Sequence, residues 1–408
     1  MNVYTGAFVK YRTSSADLRL SANTALGSLN VKVYGNWLNA LITTTDPVYP
    51  RYPADNIVYV GQLRDIFKLG SSHTFRVSVD YRYNSMATTP VGGAHVFYDV
   101  LSGSAMWNWK IDDAWSLTNA IRIDSLSLGR DGVIPAGLGL VNADWNRRRI
   151  DELSFNSGLV WQPDGSNTLR ISMARGIQLP KLAEFGGFLI STPFGFVGGI
   201  PSLKPAIVTN YELGWDGKFL GGGLTAGIRL FHQTTRDVIS NFGANLPAAN
   251  FVIAPFNIGH SETSGVELIA KGQFGDGWRW GLSYTPQWIH DHFAAGYTVA
   301  TTLLDYEHTK PVHVVDGNLG WSRGPWEVDG YFRFESEFSS IRSVSPTALY
   351  GYLVSIPEYV SADARIAYRI TDHLTLALSG QNLLQSPQRQ TSASEVERRV
   401  YVTASVDF

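Results

Sequence analysis

At 408 residues the chain is long enough for two or three soluble domains or for one large β-barrel. Charged residues make up only 17%, below the quarter usual in globular domains, and 40 glycines, 12 tryptophans, 19 tyrosines and 20 phenylalanines suit a many-turned sheet with aromatic girdles at two membrane interfaces. A net charge of −2 argues against a nucleic-acid binder, the absence of cysteine excludes disulfides and thiolate metal sites, and no apolar run reaches the ~18 residues of a membrane helix. A chain of this kind that crosses a bilayer must do so as a closed barrel, because lipid cannot hydrogen-bond an open backbone. The opening MNVYTGAFVKYRTSS has neither the basic nor the apolar region of an export signal. For an exported barrel, the true N-terminus is then expected upstream of Met1.

Period-two alternation runs through the chain in segments of about ten residues, the length of a transmembrane strand. Phe75, Val77, Val79, Tyr81 and Tyr83 alternate with Arg76, Ser78, Asp80 and Arg82. Tyr211, Leu213, Trp215 and Phe219 alternate with Asn210, Glu212, Asp216 and Lys218. Val360, Ala362, Ala364, Ile366, Tyr368 and Ile370 alternate with Ser361, Asp363, Arg365 and Arg369, and Val400, Val402, Ala404, Val406 and Phe408 close the series. Soluble sandwich strands average only about five or six residues, so aromatics on the apolar phase of longer strands point to a lipid-facing wall.

Short connections rich in glycine, proline or aspartate fall at 70–72, 112–113, 163–165, 221–223, 276–277, 324–325 and 371–372, each a tight-turn composition. Between them lie long segments at 42–56, 127–149, 178–206, 240–256, 293–307, 339–357 and 385–396. Short turns facing long loops is the asymmetry of outer-membrane barrels. The reading is an all-β, antiparallel transmembrane β-barrel of about 18 strands, within a range of about 16 to 20, forming one domain over residues 1–408 with both chain ends on the short-turn side.

Several segments, in order, resemble the C-terminal barrel of TonB-dependent outer-membrane receptors. ARGIQLPKLAEFGG (174–187) is similar to a strand-to-loop passage of that family, and PSLKPAIVTNYELGW (201–215) resembles its Leu-Lys-Pro followed by a Tyr-Glu-Leu-Gly strand. IRLFHQTTRDVIS (228–240) and NIGHSETSGVEL (257–268) resemble its Gly-Val-Glu-Leu hairpin. HTKPVH (308–313), LALSGQNLLQ (376–385) and ERRVYVTASVDF (397–408) resemble its last strands. The resemblance implies part of a barrel of about 22 strands, with signal peptide, coupling box and plug absent from this sequence. It implies energised uptake of a ferric siderophore or a similarly bulky, scarce nutrient. Implied partners are the TonB energy-coupling complex, outer-membrane lipid and lipopolysaccharide, and the barrel-assembly machinery, which would read Phe408 as its signal. A fragment short of strands would leave open edges, very costly in lipid, so the isolated chain is expected to fold poorly in membranes.

No phosphate loop, nucleophile elbow or paired-histidine helix marks an enzyme, and no cofactor is called for; Gly221-Gly222-Gly223 reads as a turn between strands. His290 and His292 have a spacing that could hold a metal, but the phase of Trp280, Leu282, Tyr284 and Trp288 places them outward at the rim, so no metal site is assigned. His308 and His313 lie on opposite faces. Arg147, Arg148 and Arg149 form a dense basic run: a solvated loop base, or a contact for an anionic ligand or lipopolysaccharide. Arg76, Asp80, Arg82, Asp363, Arg365 and Arg369 fall on the lumen phase, where the resemblance has them hold a plug; lining a diffusion path is the alternative. Ligand candidates are the loop aromatics and arginines Tyr49, Arg51, Tyr52, Phe188, Phe194, Phe196, Arg342, Tyr350 and Tyr352, which suit a large chelate with aromatic and anionic faces. A passive porin is the competing function, and an inward-folded 178–206 segment would be its constriction.

Overall fold

The computed structural model describes residues 8–43, 51–88, 94–134, 139–187, 189–192, 195–240, 252–298, 304–343 and 351–407. The alternating segments form long strands: β1 (Phe8–Asn23), β2 (Ser28–Thr43), β3 (Arg51–Leu69), β4 (His73–Thr88), β5 (Ala94–Lys110) and β6 (Trp115–Asp131). A short helix, α1 (Ala143–Asn146), precedes β7 (Arg149–Trp161) and β8 (Asn167–Gln178). The next connection carries β9 (Leu189–Thr192) and β10 (Gly195–Gly198), then come β11 (Ala206–Phe219), β12 (Leu224–Arg236) and the two-residue β13 (Val252–Ile253). The chain continues through β14 (Gly259–Phe274), β15 (Trp278–Phe293), β16 (His313–Arg323), β17 (Trp326–Glu335), β18 (Phe338–Ser343) and β19 (Gly351–Ile356). It closes with β20 (Tyr359–Thr371), β21 (Leu374–Gln381) and β22 (Arg399–Val406).

Seventeen of these strands make one antiparallel wall in which each pairs with the next, while β9, β10 and β13 form a small sheet and β18 pairs with β19. Seventeen lies inside the range read from the sequence. One expectation is corrected. Phe8 pairs with Thr43 and Asn23 with Ser28, so β1 starts at the long-loop rim, and an odd number of strands separates the two ends of the wall. The overlooked turn is Thr24–Gly27, which has a single glycine. Its geometry comes from the Thr24 hydroxyl, which accepts from the amides of Leu26 and Gly27 at 3.2 Å each. Among the described residues β1 pairs only with β2 and β22 only with β21.

The register fixes which phase faces lipid. On the turn side, Phe67 stacks on Phe75 at 5.4 Å, Trp107 on Trp109 at 5.4 Å, Trp115 on Trp161 at 5.2 Å, and Phe274 on Trp278 at 5.8 Å. Towards the long loops, Trp37 meets Tyr59 at 5.8 Å and Tyr59 stacks on Tyr83 at 6.1 Å. Phe75 and Tyr83 share a face of β4 and lie about 27 Å apart along it. Tilted by roughly 40°, that separation approaches the apolar band of about 25 Å. Exposed Val77, Val79 and Tyr81 fill the band between the two aromatic belts, so this exposure is a lipid contact rather than a packing defect.

The turns are held by local chemistry. Asp112 Oδ1 accepts from the amides of Ala114 and Trp115 at 2.8 and 2.7 Å. Asp164 Oδ1 does the same for Ser166 and Asn167 at 2.7 and 2.8 Å, the side-chain turn that aspartate favours. Bonds from the Asn167 side chain and from these amides hold the Asp164 carboxyl below its usual range. A depressed folded pKa means the turn's stabilisation is present above the unfolded value of about 3.9 and is lost as pH falls through the folded one. The gap in thermal midpoint between the parent and Asp164→Ala should therefore hold above about pH 4 and close below it. A gap unchanged down to strong acid would show that the charge contributes nothing.

Candidate functional site

The inner phase of the wall is not uniformly polar. Val96, Tyr98 and Val100 of β5, Leu126 and Leu128 of β6 and Ile150 of β7 are buried apolar side chains, and the register sets them opposite the lipid-facing phase. They are covered by Trp145 of α1 and by Leu182, Phe185 and Leu203 of the β8–β11 connection. Trp145 is fully buried, its indole N–H donates to the Phe185 carbonyl, and the Arg130 guanidinium lies over its ring at 5.1 Å. Arg130 is itself buried, with Nη1 donating to Asn142 Oδ1 at 2.6 Å. Gly186 has φ +129, and a Cβ there would meet the Trp145 indole at 2.9 Å, so only glycine lets this turn sit flat on the ring. Leu182, Phe185 and Leu203 of the 178–206 segment thus pack on the inner face of the wall.

Beneath this connection lies a cavity of about 970 Å³ between Leu179, Lys181 and Leu182 and the inner faces of β2 to β6. Its floor is a charged network. Arg122 Nη1 donates to Asp80 Oδ2 at 2.8 Å and its Nε to Asp124 Oδ1 at 2.9 Å. Gln62 also donates to Asp80, and the Ser102 hydroxyl to Asp124 at 2.6 Å. Further round, Arg170 and Arg229 share Asp216, and Arg279 and Arg365 share Glu327 and Asp329. Asp363 accepts the Asn382 amide at 2.9 Å. The register places Arg76, Arg82 and Arg369 on the same inner phase, so all six predicted lumen residues face inward.

On the long-loop side, the β6–β7 and β8–β11 connections and Phe256 line an open recess of about 830 Å³. Arg147, Arg148 and Arg149 all line it, beside Ile200 and Pro201. Arg148 Nη2 donates to the Leu203 carbonyl at 2.5 Å, and Arg149 pairs with Asp151 at 3.0 Å. Burial pushes the Arg148 guanidinium pKa down. Next in sequence to the lining residue Phe256, Asn257 accepts the Lys204 amide on Oδ1 at 2.9 Å while its Nδ2 donates to the carbonyls of Lys204 and Asp237. Two segments far apart in sequence, Leu203-Lys204-Pro205 and Asn257-Ile258-Gly259, are thereby joined.

Most of the predicted ligand side chains fall outside the described residues. Tyr49, Phe188, Phe194, Tyr350 and the terminal Phe408 lie outside the described residues. Arg51 and Tyr52 open β3, with backbones opposite Thr43 and Ile42. Phe196 lies in β10 opposite Ser191 and Val252. Arg342 is exposed in β18, opposite Tyr352. His290 and His292 do face outward; His292 stands opposite His260, and His290 lies 3.7 Å from Glu307. His308 bonds Asp305, whereas His313 bonds the Tyr284 hydroxyl. Sequence reasoning missed Arg122, Asp124, Trp145 and Phe185. The first two occupy the polar phase of β6 and were open to the alternation argument; the signal for the others was that β5 is apolar on both phases.

Residues 2–383 match the family model for "TonB dependent receptor-like, beta-barrel". A ferric-pyoverdine 358 receptor of Pseudomonas putida is 26% identical over 218 residues, covering 50% of this chain and 24% of that receptor. The copper transporter OprC matches with TM-score 0.76 at 15% identity, over 98% of this chain and 65% of that one. The FrpB iron transporter of Neisseria meningitidis (F3-3 variant) matches with TM-score 0.75 at 14% identity, over 98% and 64%. The chain therefore spans less than two thirds of these relatives, and at such identities the structural likeness speaks for the fold alone. Family match, strand order and aromatic belts agree, and the chain belongs to the TonB-dependent receptor family, as a β-barrel of the Gram-negative outer membrane.

Proposed function

We propose that this barrel serves the energised import of a ferric siderophore or a similarly bulky, scarce nutrient. The observation that carries the reading is the recess on the long-loop side, where three arginines stand beside Ile200, Pro201 and Phe256. Its volume, about 830 Å³, lies within the range of small-molecule sites, and its three arginines, set against one carboxylate (Asp144) and an apolar wall, leave a cationic surface suited to an anionic chelate with flat faces. The family and the relative named for ferric-pyoverdine support the same reading. On this proposal the TonB energy-coupling complex drives release, while lipid, lipopolysaccharide and the barrel-assembly machinery meet the outer wall.

The test is quenching of intrinsic tryptophan fluorescence by ferric-pyoverdine and by a ferric catecholate, using the full chain in detergent micelles. At least one is expected to bind, and Arg147→Glu to weaken it by about tenfold or more, as for a hydrogen bond to a charged group. Binding unaffected by that reversal would remove the recess from the site. Inward packing of Leu182, Phe185 and Leu203 is equally compatible with the passive-porin alternative. Liposomes carrying the chain separate the two: free flux of small sugars without chelate binding would favour the porin.

A further inference from the structure

We infer that His260, Glu262 and His292 form a divalent transition-metal site on the outer face of the barrel, at the long-loop rim. The residues come from two neighbouring strands. His260 and His292 are direct cross-strand partners on β14 and β15, and Glu262 lies two residues along β14, on the same face as His260. The imidazoles stack with centroids 4.5 Å apart and planes 21° from parallel. Glu262 Oε1 lies 4.0 Å from His260 Nε2. One donor atom from each of the three falls within 4.8 Å of the others.

This grouping has a chemical logic that stacking alone lacks. Each imidazole offers a ring-nitrogen donor of the kind that suits zinc, nickel or copper. The carboxylate supplies the negative charge that a dication needs. A tetrahedral ion with bonds of about 2.1 Å spaces its donors about 3.4 Å apart, so modest rotations of half-exposed side chains close the shell. Three protein ligands leave one position for water, the arrangement of an open rather than a sealed zinc site. Both histidines lie at the open end of the β14–β15 hairpin, away from its turn. Trp288 lies on their face of β15, nearer that turn, and is exposed. The ion would therefore sit above the apolar band, in the headgroup layer, and on the opposite face of the wall from the charged lumen.

The site is independent of the imported cargo, and its test uses metal alone. The full chain in detergent micelles, checked for folding by heat-modifiable migration, is titrated with Zn²⁺ by calorimetry and with Co²⁺ by visible absorption. One equivalent of Zn²⁺ is expected, with an intense, tetrahedral-type Co²⁺ spectrum that Zn²⁺ displaces. His260→Ala and His292→Ala should each weaken binding by at least tenfold, and Glu262→Gln by less. His373→Ala, at a turn on the opposite rim, should leave it unchanged. A folded chain that takes up no stoichiometric Zn²⁺, a weak octahedral Co²⁺ spectrum, or affinity retained in the His260→Ala/His292→Ala double variant would each overturn the assignment.

Discussion

Replacing Trp145 with alanine is expected to detach the β8–β11 connection from the inner wall, with a local cost of about 3–5 kcal/mol. The side chain is fully buried among Val96, Leu126, Phe185 and Leu203. Its removal takes away apolar contact, the N–H donated to Phe185 and the face over which Arg130 lies. Arg130 would then be left buried with less to offset its desolvation. Because the wall's own ladder does not run through Trp145, the loss should appear as local opening rather than global unfolding. Hydrogen exchange across 179–205 should accelerate by two or more powers of ten, at about 1.4 kcal/mol per tenfold, while the barrel's thermal midpoint moves little. Trp145→Phe keeps most of the volume and should fall between. Unchanged exchange in the alanine variant would mean that the connection is held elsewhere.

The second large effect is expected at Arg122. Its guanidinium bridges Asp80 and Asp124, whose side chains are only 10% and 13% exposed. Breaking a buried ion pair by removing one partner costs about 3–5 kcal/mol, because it strands a charge. Arg122 itself is 39% exposed, and solvent screening reduces the figure to about 2–3 kcal/mol. Arg122→Ala should lower the denaturation midpoint accordingly. Adding Asp80→Asn and Asp124→Asn should recover much of the loss, since amides can remain without a counter-charge. A single variant within about 0.5 kcal/mol of the parent, as for an ordinary surface change, would show that water already satisfies these carboxylates.

Much of this was legible in the sequence because a barrel strand has only two faces. Once alternation is seen, Tyr211 and Leu213 must share one face and Asp80 and Arg82 the other, whatever the rest of the chain does. The tight turns at Asp112, Asp164, Gly221 and Gly277 were equally plain, since each depends on side-chain capping or positive φ within a few residues. The turn at Thr24 escaped because a hydroxyl did the work more often given to glycine or aspartate. The site was less legible. Tyr49, Phe194 and Tyr350 were chosen for chemistry and loop position, and neither fixes which loops meet.

The sequence by itself determined the class of fold and, in the strands that alternate cleanly such as those at 75–83, 211–219 and 360–370, the lipid and lumen phases, because these follow from local period and from the bilayer's demand for a fully paired backbone. Only the tertiary structure decided that Trp145 and Phe185 would close over β5 and β6, and that Asn257 would join the Lys204 segment. It also decided that His292 would face His260 across a strand boundary rather than its sequence neighbour His290. Those contacts depend on cross-strand register and on where long connections fold back. No local period encodes either one.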